Sequence, residues 1–511
     1  MNRRKGRKGR STPVEQVIQP KARQLFNPYA GIEILSPEDL ELLHDGAMRI
    51  LEDIGLEILN ERALALYEAD GARVDWDRQC VFLDRHHVMR RLQTVPAEFM
   101  LYAPNPDRNR LIGGNAVNFT AVSSAPNSSD LEGGRRTGNF EDYCNFLRLS
   151  QSFDVIDFFG GYPVEPIDLH PDTRHLDASL AAYTLTDRTF SLYCLGGGRV
   201  NDGIEMAAIA RGVDRETLKK QPSVTTVVNT NSPLRVDGPM LDGLIEMAEN
   251  GQPTIVTPFT PSGAMCPITL AGALAQQTAE ALGVIMLSQI VNPGAPMLYG
   301  GFTSNADMRS GSPAFGTPEY TRAAFASGQL ARRYQIPFRS SNTNASNCVD
   351  AQATWESQMS LWGTVMGGAH VVKHAAGWLE GGLCASFEKF IIDIDMLQMM
   401  AKTLQPLEIS ETTLALDAIR EAGHGGHFFA TAHTMANYTT AFHEPLVSDW
   451  SNYETWVENG ELTALQRANK IYRQTLETYQ PPEMNESIRS TLTAYVNERR
   501  QQIQKNGNSG R

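Results

Sequence analysis

Residues 253–302 read PTIVTPFTPSGAMCPITLAGALAQQTAEALGVIMLSQIVNPGAPMLYGGF, and this stretch decides the fold. It begins with a short apolar run, Thr254–Phe259, that passes into turn-forming residues, and it ends with a second such run, Pro296–Phe302. The long apolar segment between the two runs has the length of a helix. Near-continuous apolar strands that alternate with helices indicate a parallel sheet whose two faces are both covered.

The same unit recurs along most of the chain. Apolar runs that end in Gly, Ser, Asn or Pro precede helical patterns at Val155–Phe159, Thr189–Leu195, Ser223–Asn229, Thr254–Phe259, Pro296–Phe302, Pro337–Asn342 and Ala369–His374, with His427–Ala432 as an eighth candidate. Seven or eight units favour an α/β fold of the TIM (β/α)8 barrel type, and an open doubly wound sheet is the alternative. Gly196-Gly197-Gly198 lacks the spacing of a dinucleotide-binding turn, which disfavours nucleotide binding.

The remaining segments predict a division of the chain into four parts. Residues 1–30 begin with MNRRKGRKGR and are expected to be a disordered basic tail. Residues 31–150 combine helical spacing with short strand patterns and are expected to form an extension packed on the barrel. Residues 151–445 form the predicted barrel, which carries the chemistry. Residues 446–511 are expected to form C-terminal helices and a tail.

Composition limits the class of protein. The chain has 511 residues, 41% of them hydrophobic, and a net charge of −13, so we expect a globular protein that does not bind nucleic acid. Its 6 cysteines are scattered without a CxxC pair, which predicts free thiols rather than disulfides or a zinc ribbon. No apolar run of transmembrane length stands out, so a cytoplasmic protein without membrane contact is expected. Barrels of this size often associate, and a homo-oligomer is a further expectation.

The predicted strands end in segments that are polar yet nearly uncharged. Because the active site of a parallel barrel lies at these ends, such a lining suits a ligand with a shielded cation. Glu380, in the segment GWLEGG, is the candidate for neutralising that cation. Aromatic residues at or near strand ends are candidates for a cation–π cage, although core packing explains about half of them: Phe259, Tyr299, Phe302, Trp355 and Trp378.

Two histidines raise the alternative of a metal site. His370 and His374 are four residues apart, a spacing that pairs ligands on a helix. On a barrel strand the same spacing puts the two rings too far apart for one ion, so we expect no bound metal. His374 remains a candidate catalytic residue because it stands at a strand end.

Read consecutively, residues 253–384 resemble the trimethylamine methyltransferase family. The carrying segments are residues 253–302, DMRSGSPAFGTPE, DAQATWE and HAAGWLEGGL. The resemblance implies a TIM barrel that transfers a methyl group from a methylated amine to the Co(I) of a separate corrinoid protein. It therefore implies a corrinoid protein as partner and no tightly bound cofactor in the chain itself.

The sequence departs from the founding members of that family at one decisive point. Those enzymes have pyrrolysine just before the DAQ motif, whereas Ser340–Val349 here contains only standard residues, with Asn347 or Cys348 at the corresponding place. Asn347 is accordingly a candidate catalytic residue. A quaternary amine needs no activation by pyrrolysine, so glycine betaine, proline betaine or carnitine is the expected substrate. The carboxylate of a betaine is assigned to residues at strand exits: Arg199, Asn229 and Asn231.

Two other functions stay open at this point. One is a betaine-binding or sensing protein without turnover. The other is a trimethylamine methyltransferase or a pteridine-dependent methyltransferase.

Overall fold

Seven parallel strands form the centre of the computed structural model, which describes residues 24–508 and side chains through residue 505. In chain order they are β1 (Ala116–Ala121), β2 (Phe190–Tyr193), β3 (Val224–Val228), β4 (Thr254–Val256), β5 (Met297–Gly300), β6 (Phe338–Ser341) and β7 (Val371–Ala376). Their order in the sheet is β1-β7-β6-β5-β4-β3-β2, and Leu25–Phe26 pairs antiparallel with the outer side of β1. The fold is therefore mixed α/β with a strongly curled, mostly parallel sheet.

The segment 157–159 lies between the two edges of this sheet. The backbone N–H of Asp157 donates to the carbonyl of Phe119 on β1 (2.8 Å). The N–H of Phe159 donates to the carbonyl of Thr189, just before β2 (3.0 Å). The predicted run Val155–Phe159 is thus hydrogen-bonded to both edges, although only Phe158 forms a regular bridge.

Helices cover the outside of the sheet because each one buries an apolar face against it. The helices that precede or alternate with the strands are α1 (Pro37–Arg49), α2 (Glu61–Ala69), α3 (Arg85–Leu92), α4 (Phe140–Ser152), α5 (Arg174–Leu185), α6 (Gly197–Arg211), α7 (Arg215–Lys220), α8 (Gly238–Glu249), α9 (Leu270–Val291), α10 (Pro318–Tyr334), α11 (Ala351–Met366) and α12 (Phe387–Thr403). A π-helical turn, Ile50–Ile54, follows α1. Helices α1 and α2 lie at the start of the region assigned to the extension.

The eighth predicted strand is wrong. His427–Ala432 forms no strand, because its apolar residues have nothing to pack against: Phe429 is 84% exposed. The additional parallel strand is β1, which comes from the region assigned to the N-terminal extension and is buried along its whole length. The other six predicted runs after Val155–Phe159 correspond to β2–β7.

Short strands cap the ends of the main sheet. The hairpin Glu98–Leu101/Arg110–Gly113 inserts Leu101 and Ile112 among Ile255, Leu298 and Val371, which lie on the inner face of the main sheet. The other short strands are Leu56–Ile58, Arg73–Asp75, Cys80–Phe82 and Arg235–Val236 in one sheet, Pro261–Ser262, Ser304–Ala306 and Pro313–Ala314 in a second, and Asn127–Asp130, Gly134–Thr137, Trp378–Leu379 and Cys384–Ser386 in a third. The hairpin closes the amino-terminal end of the sheet and leaves the carboxyl ends as the accessible side.

Helix α9 corrects the expectation that no segment has transmembrane length. Its 22 residues are long and apolar enough to cross a membrane, yet 78% of its most apolar window is buried inside the fold. The helix packs against α1, α3 and β5, so the apolar surface is that of a core helix.

The region after α12 consists of short helices followed by two longer ones. They are α13 (Glu411–Leu414), α14 (Leu416–Ala422), α15 (Ala432–Asn437), α16 (Tyr453–Glu458), α17 (Ala464–Thr478) and α18 (Glu486–Asn508). Helices α16, α17 and α18 lie within residues 446–511. The predicted tail at residues 1–30 lies mostly outside the described residues.

Replacing Asp157 with Asn tests the junction between the sheet edges. The carboxylate accepts hydrogen bonds from the Nε of Arg110 (2.6 Å) and from the backbone of Phe119 (2.8 Å), and both charged groups are buried. Asp157→Asn leaves the Arg110 cation without a counter-charge, so we expect a loss of about 3–5 kcal/mol in the free energy of unfolding. Urea unfolding measures the free energy of unfolding of the variant. Asp172→Asn, at the surface, is the control and should change stability by less than about 0.5 kcal/mol; equal losses would contradict the assignment.

Candidate functional site

An aromatic cluster occupies the carboxyl-terminal side of the sheet, centred on Phe302. Its ring centroid lies 5.6 Å from that of Phe259, 5.5 Å from Phe315, 6.1 Å from His374 and 6.3 Å from Trp378. Phe259 follows β4, and Phe302 and Phe315 follow β5. His374 lies within β7 and Trp378 just after it, so these three strands deliver the rings to one place. Phe259, Phe302, His374 and Trp378 were all predicted from the sequence, and the structure brings them together.

Local backbone geometry fixes two members of this cluster. The pairing of β7 with β1 shifts register between Val372 and Ala376, and His374 within this bulge has a φ of 56°. Such a bulge redirects a side chain that would otherwise point to the opposite face. The indole N–H of Trp378 donates to the carbonyl of Asn344 (3.1 Å), which holds the ring against His374 at a centroid distance of 4.2 Å.

His374 is held as a neutral imidazole. Burial lowers the pKa of its ring well below the usual range, and the nearby Arg339 and Lys373 cations lower it further. Its Nδ1 lies 3.1 Å from the hydroxyl of Ser341. A neutral ring can form a wall of the cluster without adding another positive charge.

Arg339 and Lys373 are the functional candidates that the sequence interpretation missed. Both lie on the inner face of the sheet: Arg339 is the register partner of Val371 and Gly300, and Lys373 follows Val371 by two residues. Burial lowers the pKa of Arg339 to about 10 and lowers that of Lys373 well below its usual value. The available signal was a charged residue in the middle of each predicted buried strand, FRSS and VVKHAA.

Glu380 already has a counter-charge. Its carboxylate accepts hydrogen bonds from the Nε of Arg135, at 2.9 Å and 3.0 Å to its two oxygens. The residue itself has a φ of 54°, and its N–H donates to the carbonyl of Ser346 (2.9 Å). This pairing leaves Glu380 poorly suited to neutralise a substrate cation, and it links the turn at Glu380 to the strand Gly134–Thr137 instead.

The structure does not bring Tyr299 or Trp355 to the aromatic cluster. Tyr299 faces the helix layer, where its hydroxyl lies 3.0 Å from the Nε2 of Gln277 and 2.9 Å from the hydroxyl of Thr278. Trp355 is 62% exposed on α11, in an exposed apolar stripe with Met359 and Trp362. Side chains alternate between the two faces along β5. Residues 298, 300 and 302 share the inner face, so Tyr299 points to the outer face.

Four further candidates lie at exposed or half-buried loop positions. Arg199 is half-buried in the first turn of α6, and Asn229 is exposed after β3. Asn231 is exposed and accepts a hydrogen bond from the N–H of Asp237 (2.9 Å), which gives it a turn-forming role. Asn347 is exposed beside Cys348, whose thiol donates to Asp350 (3.3 Å), and this hydrogen bond raises the pKa of the thiol.

The paired-histidine metal site is not formed. The Nδ1 of His370 accepts from the N–H of Phe338 (2.8 Å), and its Nε2 lies 3.0 Å from the carbonyl of Gly114. Both ring nitrogens are thus occupied by the backbone, and His374 belongs to the aromatic cluster instead. Among residues 24–508 no three His, Cys, Asp or Glu side chains group together as metal ligands.

The neutral state of His374 predicts a pH dependence of stability. In the unfolded chain the ring takes up a proton below about pH 6.5, whereas the folded protein resists protonation there. Because the unfolded state then binds more protons, the contribution of His374 to stability is lost as pH falls, by up to about 1.4 kcal/mol per pH unit. Urea unfolding between pH 7.5 and 5 should show a shallower decline for His374→Gln. The exposed His86→Gln variant should show the same decline in stability as the unsubstituted protein. If His374→Gln also shows that full decline, His374 is not the group responsible.

Comparison with known proteins identifies the family of this chain. The model of the trimethylamine methyltransferase (MTTB) family matches residues 3–504. The glycine betaine methyltransferase of Desulfitobacterium hafniense strain Y51 is 36% identical over 92% of this chain and 98% of its own length. Trimethylamine methyltransferases are 30% identical in D. hafniense (92% of this chain, 94% of that protein) and 26% identical in Methanosarcina mazei (92% and 96%). The chain belongs to the trimethylamine methyltransferase family and is a methyltransferase.

Proposed function

We propose that this protein transfers a methyl group from a quaternary amine to the Co(I) of a corrinoid protein. The observation that carries the proposal is the aromatic cluster around Phe302, in which a neutral histidine completes the wall. Aromatic faces stabilise a quaternary ammonium through their quadrupoles and shield it from water. The 36% identical relative that is named for glycine betaine supports the same substrate class.

The transfer needs no proton donor. The electron pair of Co(I) forms the new bond to the methyl carbon, and the pair of the broken C–N bond stays on nitrogen, so the product amine leaves neutral. The protein has to hold one N–CH₃ bond in line with the cobalt and to exclude water, and positioning of this kind contributes several kcal/mol. A neutral His374 suits this chemistry because a charged ring would repel the ammonium.

The same argument separates this chain from its pyrrolysine-containing relatives. A tertiary amine lacks the permanent charge that makes nitrogen a good leaving group, and Ser340–Val349 contains only standard residues. We therefore propose that trimethylamine is not the substrate.

The fold supports a closed barrel around this site. The segment 157–159 bonds to both edges of the curled sheet, which supports an eight-stranded TIM-type closure. The catalytic barrel then comprises residues 151–445 together with β1. A cytoplasmic location and a homo-oligomer stay predictions.

Methyl transfer to free cob(I)alamin tests the function directly. Glycine betaine, proline betaine, carnitine and trimethylamine are offered in turn, and the visible spectrum reports formation of methylcobalamin. Conversion with a quaternary amine and none with trimethylamine is the expected result. Binding of a betaine without any conversion would favour a sensing protein over an enzyme.

Phe302→Leu tests the aromatic cluster with little change in volume. Loss of the π face should lower kcat/KM for the quaternary amine roughly tenfold or more. Phe153→Leu removes an equally buried ring from the helix layer, where it contacts Phe390, and is the matched control. Equal activity of the two variants, per folded molecule, would rule out the cluster as the ammonium site.

A further inference from the structure

We infer that Arg339 and Lys373 form a carboxylate-binding subsite beside the aromatic cluster, so that the substrate is a zwitterion that carries both a quaternary ammonium and a carboxylate. The inference rests on the proposed function and adds to it the second half of the substrate. It also moves the carboxylate contact from Arg199, Asn229 and Asn231 to the interior of the sheet.

Arg339 is a buried cation whose guanidinium has neither a hydrogen-bond partner nor an anionic partner among residues 24–508. Only 2% of the residue is exposed, and its Nε and Nη1 are buried without any hydrogen bond to the described residues. A buried guanidinium normally pairs with a carboxylate or with backbone carbonyls, because unmade hydrogen bonds to a charged group are costly. Its free donors therefore indicate a ligand.

Arg188 shows what a structural buried arginine looks like in the same protein. It is fully buried, yet its Nη2 donates to the carbonyls of Gln151 (3.1 Å) and Phe153 (3.3 Å), and Asp154 lies 3.6 Å away. Arg188 keeps one buried nitrogen, Nη1, without a hydrogen bond, whereas the guanidinium of Arg339 forms no hydrogen bond to any of residues 24–508. The contrast disfavours a purely structural role for the guanidinium at position 339.

Lys373 brings a second cation to the same place. The residue is 3% exposed, and its Nζ donates one hydrogen bond, to the carbonyl of Gly160, which leaves two further donors. A side chain at Gly160 would lie 2.7 Å from the Cε of Lys373, so the glycine makes space for the lysine to cross the interior. Neither Lys373 nor Arg339 forms an ion pair with a carboxylate among residues 24–508.

A hydroxyl completes the set of donors. Thr257 lies on the inner face, two residues after Ile255, and its Oγ1 is buried without a partner. It neighbours Gly300, whose register partner is Arg339. A guanidinium, an ammonium and a hydroxyl are the donors that recognise a carboxylate.

Phe302 joins this subsite to the aromatic cluster. The Cζ of Arg339 lies 5.1 Å from the centroid of the Phe302 ring, the same ring that contacts Phe259, His374 and Trp378. A ligand whose ammonium meets the cluster can thus place a carboxylate one or a few carbons away at Arg339. A ligand with only a cation would meet the uncompensated positive charge of Arg339, so the subsite disfavours choline and methylammonium ions.

Three ligands of one shape separate the two halves of the site. Glycine betaine carries both charges, choline has a hydroxymethyl group in place of the carboxylate, and 3,3-dimethylbutanoate keeps the carboxylate but replaces nitrogen with carbon. Titration calorimetry on the full chain should rank glycine betaine first. Arg339→Met should weaken the binding of glycine betaine and dimethylbutanoate roughly tenfold to a hundredfold and leave choline unchanged or stronger.

Two controls keep the result interpretable. Arg322→Gln removes an exposed arginine from α10 and should bind all three ligands as the unsubstituted protein does. Arg339→Met should unfold at the same temperature or a higher one without ligand, because it removes an uncompensated buried charge, so weaker binding cannot be blamed on misfolding. Lys373→Met should reproduce the ligand pattern of Arg339→Met.

The outcomes distinguish this inference from the proposed function. Equal binding of choline and glycine betaine, or unchanged binding of dimethylbutanoate in Arg339→Met, would overturn the subsite even if methyl transfer occurs. Binding that depends on Arg339 without formation of methylcobalamin would retain the subsite and refute the transferase.

Discussion

The ion pair between Asp157 and Arg110 lies where the two edges of the curled sheet meet. The carboxylate holds the start of the bridging segment against β1, and the guanidinium belongs to the hairpin that closes the amino-terminal end. One buried interaction thus connects the segment between the two sheet edges with the hairpin at the amino-terminal end of the sheet. Every position at the carboxyl ends depends on it, since the curl decides which strand exits face one another.

Once the curl is set, small residues decide what fits inside it. Gly160 admits the side chain of Lys373, and Gly300 has no side chain that would collide with Thr257. The bulge in β7 then directs the consecutive residues Lys373 and His374 into the same interior, which a regular strand would not allow. The cationic side chains and the aromatic rings therefore lie close together because of two glycines and one β-bulge.

Much of this arrangement was predictable from the sequence. Apolar runs and helical spacing identified six strands and the flanking helices, and strand-end reasoning identified Phe259, Phe302, His374 and Trp378. The eighth strand was misplaced because HFFATA resembles β1 in composition, and sequence alone does not show which run finds buried neighbours. Tyr299 was misassigned because a period of two puts it on the opposite face from Phe302. Arg339 was missed because the interpretation considered strand ends, whereas Arg339 lies inside a strand. Only the structure shows that its guanidinium has no hydrogen-bond partner among the described residues.

If the proposed subsite at Arg339 binds a carboxylate, it also affects how long the protein survives in a cell. A buried charge without a partner destabilises the unliganded fold, and a carboxylate that binds only the folded state removes that penalty. Proteases act on transiently unfolded molecules, so the rate of degradation falls as the ligand accumulates. With the proposed subsite, the abundance of this methyltransferase rises with the supply of its substrate, without any change in its synthesis.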